Sequence, residues 1–194
     1  MFTKKPAPPP PAPVKPQAAA QPSTPAPAAR PSGWAAQILT ADYLASGYLQ
    51  PVDMPLVGFL NVSTQATVAL ANVQLQAVGA QATVANPNPA EATFPKSSII
   101  AFVPRDEPGL KAAALQMPNR PERAVLYAGP YVIRAALMLV GDMPLRNFFG
   151  TGSGAYVAVT DAEITCQIPG AKFQPLTAKI MVVNKALVQL YHPA

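Results

Sequence analysis

Few residues of this chain could do acid–base or nucleophilic chemistry, and those few lie far apart in the sequence. His192 is the single histidine, and no nucleophile or orienting acid stands at the spacing that a catalytic triad requires. Cys166 is the single cysteine, so the chain forms no internal disulfide and no cysteine metal cluster. It follows a predicted strand, where a buried apolar thiol is expected rather than a nucleophile. The sequence therefore predicts no catalytic residue and no enzyme.

Two further patterns carry functional residue types without the context that the function needs. The run Gly150–Gly154 reads GTGSG, but it lacks the Lys-Ser/Thr of a phosphate-binding loop and follows a predicted helix instead of preceding one. We interpret it as a loop between elements. Asp161 and Glu163 lie on one predicted strand, without a second acidic pair for a metal, and Arg134 or Arg146 is expected to pair with them. No cofactor or metal is predicted.

One four-residue motif occurs twice, 89 positions apart. Residues 53–56 read DMPL, and residues 142–145 read DMPL again. The same offset holds over roughly fifty positions. It pairs Phe59 with Phe148, Ala66 with Ala155, Asn72 with Asp161, Lys96 with Lys185, Phe102 with Tyr191 and Pro104 with Pro193. We interpret the chain as two copies of one small module.

Each DMPL motif predicts a short helix. The aspartate would cap it, the proline would stand in its first turn, and the leucine would enter the core. These positions are Asp53, Pro55 and Leu56 in the first copy and Asp142, Pro144 and Leu145 in the second. The alternative, a shared ligand pair of aspartates, is not needed to explain the recurrence.

Lys96 and Lys185 also recur, each at a predicted loop or hairpin edge. A solvated turn lysine accounts for both. A contact to a partner or to a phosphate is the alternative, and the sequence leaves the two interpretations open.

Short strands with few helices predict a mainly β fold: two tandem small five-stranded barrels, each with one short helix. We expect the first barrel at residues 34–108, with Trp34 closing its edge, a linker at 109–123 and the second barrel at 124–194. A short helix is expected at 109–116. The strands expected in the first copy are 38–49, as one strand or as two pieces with a bend at Gly47, then 67–75, 76–85 and 97–103. Those expected in the second are 131–140, 155–167, and a hairpin of 179–183 and 186–191 through Asn184-Lys185.

Residues 1–33 differ in composition from the rest, with 11 prolines, 8 alanines, 4 basic residues and no acid. Such a segment cannot bury enough apolar surface to order itself, so we expect a disordered, partly polyproline tether. The net charge of +5 comes mostly from this tail. Its Phe2, Lys4 and Lys5 are candidate partner contacts. They are too few for stable membrane anchoring, and the spread charges give only weak nucleic-acid contact.

The remainder is nearly neutral, and only 12% of all residues are charged. A surface poor in charge favours association. The sequence contains no apolar run long enough to span a bilayer and no secretory signal, so a cytoplasmic location is expected.

The order and spacing of these elements resemble the Sm-like small β-barrel. The stretch from Gly47 through Leu49 to Asp53 is similar to the first Sm signature, a glycine-x-leucine followed by an aspartate. Asn184-Lys185 lies where the second signature falls. The asparagine and the Arg-Gly pair with which that family contacts RNA are replaced here, and Ala135 stands where the first copy has Gly47. The chain also resembles bacterial single-copy proteins of unknown function, which implies no mechanism.

These observations predict a non-enzymatic scaffold or assembly module that associates with itself or docks a protein partner. The alternative is a nucleic-acid-binding protein that uses the basic tail and the barrel loops.

Overall fold

The computed structural model describes residues 33–50, 52–79, 82–113, 120–150 and 154–194, and all of them belong to one compact unit. Most of them lie in ten strands. The strands are β1 (Trp34–Leu39), β2 (Tyr43–Leu49), β3 (Thr67–Ala77), β4 (Glu91–Pro95), β5 (Ala101–Pro104), β6 (Arg120–Ala128), β7 (Tyr131–Leu139), β8 (Tyr156–Cys166), β9 (Leu176–Asn184) and β10 (Val188–Pro193). The helices are α1 (Leu56–Asn61), α2 (Glu107–Ala113) and α3 (Leu145–Phe148), with 3-10 turns at Lys96–Ser98 and Lys185–Leu187. Of these described helices, none has the length and apolarity to cross a membrane.

The ten strands form one antiparallel sheet in the order β10-β6-β7-β8-β9-β5-β1-β2-β3-β4. We call β1–β5 the first repeat and β6–β10 the second. Each repeat has the same internal order, with its fifth strand beside its first and its fourth strand at the far side. The prediction of a mainly β chain is confirmed. The prediction of two tandem barrels stays a prediction; hydrogen bonding links all ten strands into one sheet.

The backbone repeats at the same offset as the sequence. Asn72 and Asp161, 89 positions apart, both take the left-handed conformation, with φ of 50° and 48°. Each lies near a register shift between the second and third strands of its repeat. Such a bulge adds a residue to one strand and increases its twist, so both repeats bend at the same place.

The DMPL helices begin two residues later than the sequence predicts. Pro55 and Pro144 are the N-cap residues, and neither helix has a side-chain cap hydrogen bond. The capping role predicted for Asp53 and Asp142 is therefore wrong: each aspartate stands two residues before the N-cap, and both are exposed.

The leucines of the two motifs behave as predicted. Leu56 is fully buried and Leu145 is 6% exposed. Each fixes its short helix to the core, which gives the recurring leucine a structural role.

Several predicted element boundaries are wrong in the first repeat. The strand expected at 38–49 is interrupted at residues 40–42, where the Thr40 amide donates to the Tyr43 carbonyl (2.9 Å), and its ladder also shifts register at Gly47, between Ser46 and Tyr48. β3 continues to Ala77 and no strand covers the described part of 78–85, whereas β4 was not predicted. The strand expected at 97–103 is a 3-10 turn followed by β5. The predicted helix at 109–116 is α2, which begins at Glu107; residues 114–119 lie outside the described part.

The hairpin predicted at the end of the second repeat is also wrong. β9 and β10 are consecutive in the chain, but β9 pairs with β8 and β5, while β10 pairs with β6. The 3-10 turn at Lys185–Leu187 separates the two strands, and β10 lies beside β6, at the opposite end of the repeat from β9.

The buried side chains form two clusters, and each takes residues from both repeats. One is centred on the first repeat but includes Tyr156 and Val182. The other is centred on the second repeat and includes Leu39, Ile100 and Val103 of the first. The two repeats therefore share their cores across the junction where β5 meets β9.

Candidate assembly interface

The two repeats are joined by one strand pair. Ala101 lies opposite Val183 and Phe102 lies opposite Val182, and the Asn184 amide continues the ladder by donating to the Ile100 carbonyl (3.0 Å). All four residues of β5 are buried. The first repeat thus uses its fifth strand, and the second repeat uses its fourth.

Polar side chains fasten α1 of the first repeat to β8 of the second. Asn61 Nδ2 donates to the Tyr156 carbonyl and Asn61 Oδ1 accepts from the Tyr156 amide, both at 2.9 Å. The Tyr156 hydroxyl donates to the Lys96 carbonyl. Burial raises the pKa of this hydroxyl to about 12, against the opposing effect of a hydrogen bond with Asn184. Tyr156 is therefore a neutral hydrogen-bonding group that holds the repeats together.

Lys96 is not the solvated turn lysine that the sequence allows. It is 8% exposed, and its Nζ donates to the carbonyls of Phe59 (2.7 Å) and Val62 (3.1 Å). The ammonium also lies 4.9 Å from the centre of the Phe59 ring. Burial lowers its pKa, while a cation at the carbonyl end of a helix is favourable. Lys96 thus caps α1 from inside.

Lys185 makes a looser version of the same arrangement. Its Nζ lies 6.0 Å from the centre of the Phe148 ring, and the residue is half-buried. The backbone is equivalent in the two repeats: the Lys96 amide donates to Ala66 (2.8 Å) and the Lys185 amide to Ala155 (2.6 Å). The two lysines differ in exposure, since Lys96 is buried and Lys185 is half-buried.

The junction between the repeats is not reciprocal, so it leaves two unlike edges. β4, the fourth strand of the first repeat, ends the sheet on one side, and β10, the fifth strand of the second repeat, ends it on the other. These are the counterparts of β9 and β5, the two strands that pair inside the chain. Among the described strands, neither outer edge has a partner. Unpaired edges offer backbone donors and acceptors to another strand.

The β10 edge carries an aromatic surface, Phe148, Phe149 and Tyr191, that we call the aromatic patch. Leu190 precedes Tyr191 in β10 and therefore points to the opposite face of the strand. The Phe149 and Tyr191 rings stack at 4.2 Å between centres, and Leu190 is 58% exposed. At the same offset in the first repeat, the counterparts of the aromatic patch are Phe59, Leu60 and Phe102, at most 6% exposed. They are buried in the cluster to which Tyr156 and Val182 of the second repeat belong. The aromatic patch is the same surface without that cover.

Of the remaining residues singled out in the sequence, those that the structure describes do not gather into a site. His192 is exposed, with Nε2 3.4 Å from the Tyr127 hydroxyl, and Cys166 is half-buried at the end of β8. Phe2, Lys4, Lys5 and residues 151–153 of the glycine-rich loop lie outside the described residues. Within the described ranges, no group of three or more His, Cys, Asp or Glu side chains could hold a metal.

The ion pairs expected from Arg134 or Arg146 to Asp161 and Glu163 are not formed. Arg134 lies opposite Glu163 in the ladder. The ion pairs within the described part of the chain are instead Lys111–Glu107 (2.9 Å) and Arg120–Glu122 (3.2 Å). The two acids of β8 are therefore solvated surface groups.

The residues that fasten the junction were missed in the sequence because they are the positions where the repeats differ. At the offset of 89, Asn61 corresponds to Gly150, Tyr156 to Thr67 and Asn184 to Pro95. A comparison that looks for matches passes over them. The difference within each pair of positions indicates the junction, since one member of the pair contacts the other repeat and its counterpart does not.

Comparisons with known proteins give no further guide. No protein-family model matches this chain, and no match was found among curated proteins or among solved structures.

Proposed function

We propose that this chain is a non-enzymatic assembly module that associates with further copies of itself. The observation that carries the proposal is the pair of unlike, unpaired edges, β4 and β10, whose counterparts already pair with each other inside the chain. A strand pair that one polypeptide forms between its own repeats is sterically and chemically suited to form again between two polypeptides. In this view each half of the chain acts as one small barrel-like unit of the assembly.

The composition and the surface support the same function. Charged residues make up only 12% of the chain, so little electrostatic repulsion opposes association. Proteins ordinarily protect edge strands with charge, proline or a covering element. β10 has no charged residue, its one proline, Pro193, is its last residue, and Leu190 faces solvent on it. Such an edge is suited to be covered by another chain.

The mass of the full-length protein in solution tests the proposal. Light scattering or sedimentation should give a multiple of 20.3 kDa that falls toward one chain on dilution. A protein that stays at the mass of one chain up to the highest soluble concentration overturns self-association. Addition of about 1 M salt should not dissociate the assembly, because strand pairing and apolar burial hold it together rather than surface charge.

A further inference from the structure

We infer that copies of this chain join head to tail: β10 of one copy pairs antiparallel with β4 of the next. This inference rests on the proposed self-association and specifies its surface, its register and its polarity. It is argued from the junction inside the chain, which supplies the pairing geometry.

The internal register determines the register between chains. Inside the chain, Ala101 lies opposite Val183 and Phe102 lies opposite Val182. The residues of β10 that correspond to β5 are found by adding 89 to the residue number, and those of β4 that correspond to β9 by subtracting 89. These counterparts are the residues expected to pair between two chains. Leu190 of one copy then lies opposite Phe94 of the next, and Tyr191 lies opposite Thr93.

The surfaces on the two edges agree with this register. Phe94 already belongs to the core cluster of the first repeat, so Leu190 would extend that cluster. Thr93 is exposed on β4, and Tyr191 lies in the aromatic patch. The β3–β4 edge of the incoming copy would therefore cover the patch as β8 and β9 cover its counterpart inside the chain.

The external junction should be weaker than the internal one. Pro95 replaces Asn184, and since proline has no N–H it cannot make the bond that Asn184 donates to Ile100. Gly150 replaces Asn61, so the two hydrogen bonds to the backbone of β8 have no equivalent. The internal junction is thus permanent, and the external junction is one that dilution can reverse.

The polarity has a consequence that tests it. A junction between unlike surfaces requires one β10 edge and one β4 edge, and each copy carries one of each. Leu190→Asp puts a charge on the β10 edge at a side chain exposed in the single chain, and Thr93→Asp does the same on β4. Each variant alone lacks one edge and should have the mass of one chain.

A mixture of the two variants should give a complex of two chains and nothing larger. The Leu190→Asp copy keeps an intact β4, the Thr93→Asp copy keeps an intact β10, and together they form one junction. If either variant alone remains associated as the wild type does, the edge that its substitution alters is not part of the junction. If the mixture stays at the mass of one chain, the head-to-tail inference is overturned. Circular dichroism melting curves verify that both variants are folded.

Cross-linking tests the register without any change of charge. In a Cys166→Ala background, Thr93→Cys with Tyr191→Cys places two thiols opposite each other between chains, at a Cα separation that suits a disulfide. Mild oxidation should give ladders of linked chains. The matched control, Thr93→Cys with Gln189→Cys, is out of register and should give few.

These experiments distinguish a failure of head-to-tail pairing from a failure of self-association. If the wild-type protein is associated but the variant with Thr93→Cys and Tyr191→Cys forms no disulfide between chains, the inference is refuted and self-association stands. A wild-type protein with the mass of one chain removes both.

Discussion

Asn61 holds the backbone of Tyr156 at both its amide and its carbonyl, with 2.9 Å between heavy atoms in each hydrogen bond. The two residues are 95 positions apart in the chain, and they belong to different repeats. The side-chain amide of Asn61 therefore pairs with the backbone of Tyr156 as a neighbouring strand would. This contact connects the first residue of β8 to α1. Because its counterpart is Gly150, this connection exists once per chain and fixes the junction between the repeats.

Replacing Asn61 with alanine should lower the free energy of unfolding by about 1–3 kcal/mol, because it leaves two partly buried backbone groups of Tyr156 without partners. Urea unfolding of the variant at neutral pH measures the loss. Asn86→Ala is the matched control, since it removes one exposed hydrogen bond to the nearby Asn88 amide and should change stability by less than about 0.5 kcal/mol. Equal effects of the two variants would contradict the role of Asn61.

Gly154 provides a second route to the same contact. A Cβ at this position would lie 2.7 Å from Asn61 Oδ1, so Gly154→Ala should displace the amide and destabilise the protein. If both changes act on one contact, the double variant should lose less stability than the two single losses combined. Additive losses would show that Gly154→Ala acts elsewhere.

The sequence was sufficient to predict whatever depends on local pattern. The duplication, the buried Leu56 and Leu145, and strands β7 and β8 follow from an offset, from helical spacing and from alternation. The common backbone of Asn72 and Asp161 lies at a matched pair of positions as well. Each of these features depends on residues that are close together in the chain or at a constant offset, so it can be recognised in a single sequence.

What could not be predicted depends on contacts between distant residues. Asn184-Lys185 has the composition of a hairpin turn, yet β9 and β10 pair with other strands, because β5 offers β9 a buried partner from the other repeat. Lys96 looks like a surface lysine in the sequence, but its ammonium binds the carbonyls of Phe59 and Val62 at the end of α1, more than 30 positions earlier in the chain. Which strands pair depends on contacts across the whole sheet, and the residue pattern within β9 or β10 does not indicate it.

Lys96→Met should destabilise the protein by about 1–3 kcal/mol. The change keeps the apolar stem but leaves the carbonyls of Phe59 and Val62 without the donors they now have. Lys179→Met, at an exposed position of β9, is the matched control and should be nearly neutral. Thermal unfolding of the two variants beside the wild type decides. A loss no larger for Lys96→Met than for Lys179→Met would mean that the ammonium is not needed inside.

Stability should fall in alkaline solution, and Tyr156 should account for part of the fall. Burial raises the pKa of its hydroxyl to about 12 in the folded chain, against about 10 in the unfolded chain. Between those values the unfolded chain releases a proton that the folded chain keeps. Stability is therefore complete below about pH 10 and declines by up to about 1.4 kcal/mol per pH unit for each such hydroxyl.

Burial also raises the pKa of Tyr131, so the wild type should show the effect of two hydroxyl groups. Lys96 contributes with the opposite sign, because its lowered pKa makes stability rise with pH up to about 10.5. Urea unfolding between about pH 8 and 11.5 should give a shallower alkaline decline for Tyr156→Phe than for the wild type. A stability difference between the two proteins that stays constant across this range would contradict the assignment.

The shared cores make one further prediction, which concerns cooperativity. Leu56 and Leu145 lie in different clusters, and Leu56→Asp or Leu145→Asp should each cost about 4 kcal/mol or more, since either buries an unpaired charge. Met54→Asp, at a side chain that is 44% exposed, is the control and should be tolerated. The milder Leu145→Ala should cost about 2–5 kcal/mol, which keeps the protein measurable.

Trp34 is the single tryptophan, and it packs against the cluster of the first repeat, so its fluorescence reports on the packing of that cluster. If β5 and β9 unite the repeats, Leu145→Ala in the second repeat should shift the urea midpoint of Trp34 as far as it shifts the midpoint seen by circular dichroism. Two independent barrels would instead leave the Trp34 midpoint where it is. A Trp34 transition unmoved by Leu145→Ala would therefore show that the junction does not couple the repeats, and it would remove the internal template from which pairing between chains is inferred.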